Sequence, residues 1–254
     1  MAAGGEIRTG TRVIQEPRRP RRRGSTPLQS RSRIARDSTR ASAPRAVTEK
    51  TRCIIAVHLF GLCADIDEIS KRAPGIPIVE DAACAVGATY QGREAGALAP
   101  VAVLSFHGRK GITSGEGGAL IATDPAVAAH ARLRSSFGIG SIFDQAKVVG
   151  LPIPEFTEIG YNYKLADIAA AILLVQLGRV EELLERRRAV AARYAELLAD
   201  EELVTLPHVP EDRTHAWQSF LLTLDPGVDR AAVAADLRAQ GIGCGHGTWA
   251  SHLQ

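Results

Sequence analysis

Residues 101–118 read VAVLSFHGRKGITSGEGG: an apolar run that breaks into a loop holding one lysine among five glycines. The run is of strand length, continuous rather than alternating, and bounded by turn residues, as in a strand covered on both faces of an α/β sheet. Lys110 follows the end of that strand. Open α/β sheets gather their ligands at the carboxyl ends of strands, so the loop is a candidate site. It is not a nucleotide-binding P-loop, because the lysine precedes the glycine cluster instead of closing it.

Working outward, CIIAVHLF (53–60), IPIVEDAA (76–83) and GALIAT (118–123) read as three further strands. Asp65 and Glu68 open a helix that runs to about residue 72 by capping logic. Asp124 and Pro125 supply an N-cap and a first-turn proline for another, to about residue 138. Residues 165–200 are helical, apolar all round at first and amphipathic later, with Gly178 bending or dividing them. AWQSFLLTL (216–224) reads as an alternating strand, followed by a helix over 229–240. Strands alternating with helices predict an α/β domain, with a small α+β unit at the C-terminus that is too slight to stand alone.

Charge divides the chain. Residues 1–50 hold 13 basic residues against four acidic ones and no aromatic, a balance of +9, whereas the remainder carries −6. The Arg/Pro/Ser-rich leader cannot bury enough apolar surface to offset its ordering entropy and is expected to be disordered. Its clustered arginines suit nucleic acid or an acidic surface, but without interleaved aromatics a leader with no selected role is the preferred reading. Cys53, Cys63, Cys84 and Cys244 form no C-x-x-C pair and no metal-ligand spacing, which points to reduced thiols in the cytoplasm and to no metal. No apolar run reaches the length of a membrane span, and no signal-peptide apolar segment is expected.

The chemistry rests on Asp81 and Lys110, at neighbouring strand ends. Such an acid and amine are either a structural ion pair or the two protein groups that pyridoxal 5'-phosphate requires. The lysine then forms a Schiff base, and the carboxylate keeps the pyridine nitrogen protonated. Ser105, Thr113 and Ser114 are hydroxyls within reach of a phosphate. A tight turn explains the glycines equally well, but not the lysine.

EDAACAVGATYQGREAGALAP, LSFHGRKGITSGEGGALIAT and GYNYKLADIAAAILLVQLGRVEELLERRR together resemble the DegT/DnrJ/EryC1/StrS family. The similarity runs over about residues 51–254. The resemblance implies a fold-type-I, pyridoxal-phosphate-dependent aminotransferase that acts on a nucleotide-linked keto sugar, with glutamate as amino donor, working as a homodimer. It assigns the Schiff base to Lys110, the ring nitrogen to Asp81 and the phosphate to Ser105. Asn162 would reach the phosphate from a neighbouring subunit. Histidine replaces this lysine in a dehydratase branch of the family, so Lys110 favours transamination.

His107, Cys84 and His246 are candidate substrate or cofactor contacts; Cys84 stands where many members have glutamine. His252 falls in the same small-domain loop as His246. His58 reads as a satisfied core histidine, and Glu116 as structural. Residues 185–188 read as a solvated helix face, and Tyr161 and Tyr163 as packing residues.

Relative to that family the chain is expected to be cut short at both ends, giving an incomplete large domain with a mostly parallel sheet and flanking helices, plus a partial small domain. The expected division is 1–50, 51–164 for cofactor binding, 165–205 for the long helices and 206–254 for the small-domain portion. A sheet lacking strands would leave apolar edges and faces uncovered. A non-catalytic chain that associates with an intact relative is the alternative.

Overall fold

The computed structural model describes residues 47–139, 156–245 and 247, so the Arg-rich leader, His246 and His252 lie outside the described residues. The central sheet contains β1 (Ile54–Val57), β2 (Ile78–Asp81), β5 (Val101–Ser105) and β6 (Gly118–Ala122), in the order β1-β2-β5-β6. The first three run parallel, and β6 returns antiparallel to β5 at the edge. Between β2 and β5 lies a two-stranded hairpin, β3 (Thr89–Tyr90) with β4 (Arg93–Glu94). Among the described residues five α-helices are interleaved with the strands: α1 (Ile66–Arg72), α2 (Pro125–Ser135), α3 (Asp167–Leu177), α4 (Val180–Leu197) and α5 (Arg230–Ala239). A last short ladder joins β7 (Val204–Thr205) to β8 (Thr223–Leu224).

Alternation along the strands decides which face is buried. Ile54, Ala56, Ile78, Glu80 and Ala102 point into the core, where Ile66 and Ile69 of α1 and Leu184 of α4 meet them. A second cluster gathers Phe106, Ile112 and Leu173 of α3 beneath the Lys110 loop. On the opposite face Ile55 is 54% exposed and Val57 43%. That departs from a sheet covered on both faces: among the described residues the helices packed on the core lie on one side, and the other stays open at β1.

The buried face carries a hydrogen-bonded pin. His58 and Glu80 are both fully buried. The His58 Nδ1 accepts from the Ala64 N–H at 3.1 Å, so Nε2 carries the proton and donates to Glu80 Oε2 at 2.9 Å. Glu80 also accepts from the N–H groups of Gly96, Leu98 and Ala99 at 2.6–2.8 Å. Burial alone would raise the Glu80 pKa; the bonds from His58, Gly96 and Ala99 outweigh it and hold the carboxyl below its ordinary value. His58 is therefore the core histidine that the sequence suggests.

Two local readings change, at Asp65 and over 216–224, and one is decided, at Gly178. Asp65 precedes α1 but caps nothing; its carboxylate pairs with Arg213 at 2.5 Å, and Arg213 lies over the Tyr90 ring. Gly178 separates α3 from α4 as the cap of the first. Of the strand read over 216–224, only Thr223–Leu224 forms. The chain at 215–219 instead lies along Phe60–Leu62, with the Ala216 N–H donating to Gly61 O at 2.8 Å and a bridge from Leu62 to His215. Trp217, at φ 49°, breaks the pleat that would have continued a strand. The N-cap at Asp124 forms as read, accepting from the Ala126 N–H at 2.8 Å.

Candidate active site

Asp81 and Ser105 end the adjacent strands β2 and β5, and the register pairs Asp81 with Val103, two positions before Ser105. Partners in a parallel ladder share a face, and residues two apart share it too. Asp81 and Ser105 therefore project from the open face, while Glu80, one residue away, projects into the core. An Asp81 oxygen accepts from the Ala83 N–H at 3.1 Å, capping the turn that holds Cys84.

The loop after β5 returns Lys110 to that same turn: its Nζ donates to Cys84 Sγ at 3.1 Å. Asp81 and Lys110 thus meet at one turn, yet among the described residues no ion pair joins them. The ion-pair reading fails on this geometry. An acid and an amine at neighbouring strand ends, each without a countercharge from the other, suit a third group between them.

The loop folds through its own polar atoms. Thr113 Oγ1 donates to Phe106 O at 2.9 Å and accepts from the Gly115 N–H, while the Ser114 hydroxyl donates to Glu116 O. Those two hydroxyls are committed to the turn, which leaves Ser105, whose Oγ has only a long 3.4 Å contact from the His107 N–H. His107 Nδ1 accepts from the Arg109 N–H, and Nε2 lies 3.6 Å from Glu116, so this histidine and Glu116 brace the loop. Two glycines are demanded by the turn. Gly117 has φ 140° with a Leu165 methyl where a Cβ would go, and Gly118 has Leu104 O at 2.7 Å from that position.

Two contacts escape a reading of sequence. Gln218 Nε2 donates to Arg109 O at 2.5 Å, and Arg187 Nη2 reaches Lys110 O at 3.4 Å. Residues 185–188 are thus not all a solvated face: Arg186 and Arg188 pair with glutamates, whereas Arg187 turns inward. A small recess under the loop, lined by Val86, Gly111, Ile112, Val180, Leu183, Leu184 and Arg187, contains none of Asp81, Ser105 or Lys110 and is a packing gap, not the site. Asn162 is exposed, on a bridge to Ser136 beyond α2. Tyr161 and Tyr163 stack on each other at 5.0 Å, both exposed. Among the described residues no group of His, Cys, Asp and Glu is arranged to hold a metal ion, and no helix is long and apolar enough to cross a membrane.

The donor set fits pyridoxal phosphate at three points: an amine at Lys110, a carboxylate at Asp81 and a hydroxyl at Ser105. Comparison with known proteins finds a family and relatives for the chain. Residues 38–254 match the model of the DegT/DnrJ/EryC1/StrS aminotransferase family. The aminotransferase TlmJ from Streptoalloteichus hindustanus is similar at 32% identity and a TM-score of 0.72, covering 80% of this chain and 54% of that one. DesV of S. venezuelae, in complex with a ketimine intermediate, is 32% identical with a TM-score of 0.69, covering 80% and 52%. The sugar aminotransferase Spr1654 from Streptococcus pneumoniae, in its PMP form, is 25% identical with a TM-score of 0.76, covering 83% and 59%. The chain spans somewhat over half the length of these relatives.

Proposed function

From the premise that this chain belongs to the DegT/DnrJ/EryC1/StrS aminotransferase family, we propose that it is a pyridoxal-phosphate-dependent aminotransferase. Its substrate in this reading is a nucleotide-linked keto sugar, its amino donor is glutamate, and it works in the cytoplasm as a homodimer. The observation that supports this most is the placing of the Lys110 amine and the Asp81 carboxylate at one turn without an ion pair between them.

When bound, the cofactor supplies an electron-accepting ring through which an amino group is exchanged for a carbonyl. Lys110 Nζ would hold the cofactor and, as a free amine, would serve as the base that moves a proton at the substrate carbon. Cys84 Sγ holds that amine at the turn meanwhile. The Asp81 carboxylate, with one oxygen free of the Ala83 N–H, would hold the ring nitrogen through a charge-assisted hydrogen bond. The Ser105 hydroxyl binds phosphate, and Asn162 joins it from the second copy. His107 and Cys84 would line the approach of substrate; His246, which the family resemblance adds to them, lies outside the described residues.

The division at residues 50, 164 and 205 belongs to this reading: binding, helical and small-domain portions in that order. A second reading, a non-catalytic chain that associates with an intact relative, is favoured by the exposed apolar residues of α3. Incubating the full chain, loaded with pyridoxal phosphate, with glutamate separates the two. Stoichiometric 2-oxoglutarate that Lys110→Ala abolishes supports catalysis; none from the loaded parent chain supports the second.

A further inference from the structure

The loop over 106–117 buries little besides Phe106, Ile112 and Ser114. A lysine on such a loop gains no fixed aim from packing alone. Yet the two carbonyls on either side of the Lys110 Cα are each held from a distant element: Arg109 O by Gln218 and Lys110 O by Arg187.

Neither holder has another evident use. Arg187 forms no ion pair among the described residues, although both its chain neighbours do. Burial lowers its pKa, so the guanidinium bears a desolvation cost with no carboxylate to offset it. Gln218 donates through Nε2, while its Oε1 is sealed from solvent and lacks a partner among the described residues. The backbone that delivers it is unusual as well. Trp217 sits at φ 49° against Phe60 at φ 59° and Gly61 at φ 106°. A Cβ on Gly61 would lie 3.0 Å from Trp217 N, 3.1 Å from Gln218 N and 3.2 Å from Cys84 O. Sparsely populated backbone clustered beside a reactive group marks a place where the fold gives up stability for geometry.

We infer that Arg187 and Gln218 are positioning residues for the Lys110 amine. They clamp the loop from α4 on one side and from the 215–219 segment on the other, so that the side chain leaves it towards Cys84 and the turn capped by Asp81. The inference rests on the reading of Lys110 as the cofactor-bearing amine. Misplacing a reacting group by about 1 Å can cost roughly a hundredfold in rate, so a clamp of this kind has a consequence for chemistry.

The test compares the full parent chain with Gln218→Leu, Arg187→Met and Arg187→Lys, which keeps a donor. Amide hydrogen exchange reads the loop without cofactor, and borohydride trapping of added pyridoxal phosphate, mapped to Lys110, reads the amine. Faster exchange confined to 106–117 is expected in Gln218→Leu and Arg187→Met, with trapping at Lys110 reduced about tenfold, the scale of one lost hydrogen bond. Partial recovery is expected in Arg187→Lys. Unchanged exchange, or faster exchange with unchanged trapping, overturns the inference. If exchange rises throughout a variant, that variant has unfolded and the other two decide. A parent chain that traps nothing at Lys110 overturns the underlying cofactor reading instead, and this inference with it.

Discussion

Glu80 and Asp81 are chain neighbours with opposite surroundings, because a strand turns successive side chains to opposite faces. Glu80 accepts four hydrogen bonds in the core and has no contact with the open face. Replacing it by glutamine aims an amide N–H at donors and should cost about 2–4 kcal/mol, read as a fall in the denaturation midpoint. Asp81→Asn should leave that midpoint nearly unchanged while lowering turnover about a hundredfold, because in the proposed function the change removes only the charge offered to the ring nitrogen. If both variants lose stability alike, the division of roles between the two carboxylates is wrong.

His215 predicts a pH effect. Burial, which penalises the charged ring, pushes its pKa down to about 4. The unfolded chain therefore takes up the proton first, and the penalty on folding accumulates as pH falls from about 6.5 towards about 4, at about 1.4 kcal/mol per pH unit. Glu80, held below its ordinary value of 4.5, begins to lose its contribution as pH falls past that value and the unfolded carboxyl takes up its proton, and has lost all of it once the folded carboxylate is protonated too. His215→Gln should flatten the stability profile between pH 6.5 and 4 and leave the steeper acid limb. An unchanged profile would contradict the burial argument.

At the scale of elements, β1, β2, β5 and β6 were legible because each is a short apolar run closed by a turn residue, and α2 because Asp124-Pro125 is a strong start signal. Asp124→Ala should cost about 1 kcal/mol for that reason. The 216–224 segment was misread because its alternation is real but its docking partner is the backbone of Phe60–Leu62, which local sequence does not encode. Asp65 carried a capping signal that lost to Arg213, nearly 150 residues away in the chain. Gly87 had no sequence signal at all. It sits at φ 80° with Leu184 of α4 inside contact distance of a Cβ, so Gly87→Ala should destabilise by about 2–3 kcal/mol. A variant as stable as the parent would show that α4 yields there.

Over the whole molecule, the candidate site was readable at Asp81, Ser105 and Lys110, since strand ends and residue types are local properties. Arg187 and Gln218 were not, because both act through backbone carbonyls that any residue could supply. The exposed apolar surface belongs to this scale too. Ile168, Leu174 and Val175 of α3 are more than 60% exposed, and Phe156, Ile159 and Tyr163 are exposed as strongly. Large apolar side chains exposed to this degree point to association. Paired Ile168→Glu and Leu174→Glu changes should shift the chain towards monomer in sedimentation, with no change in its denaturation midpoint. A parent chain that is monomeric at every concentration would contradict the homodimer in the proposed function.

The most direct test of the central claim is where the cofactor attaches. The purified full chain is mixed with pyridoxal phosphate, its visible absorbance recorded, and the adduct reduced with borohydride and mapped by peptide mass. The account predicts a single labelled lysine, Lys110, and loss of both band and label in Lys110→Ala. Label scattered over surface amines, or a band that survives Lys110→Ala, would contradict it.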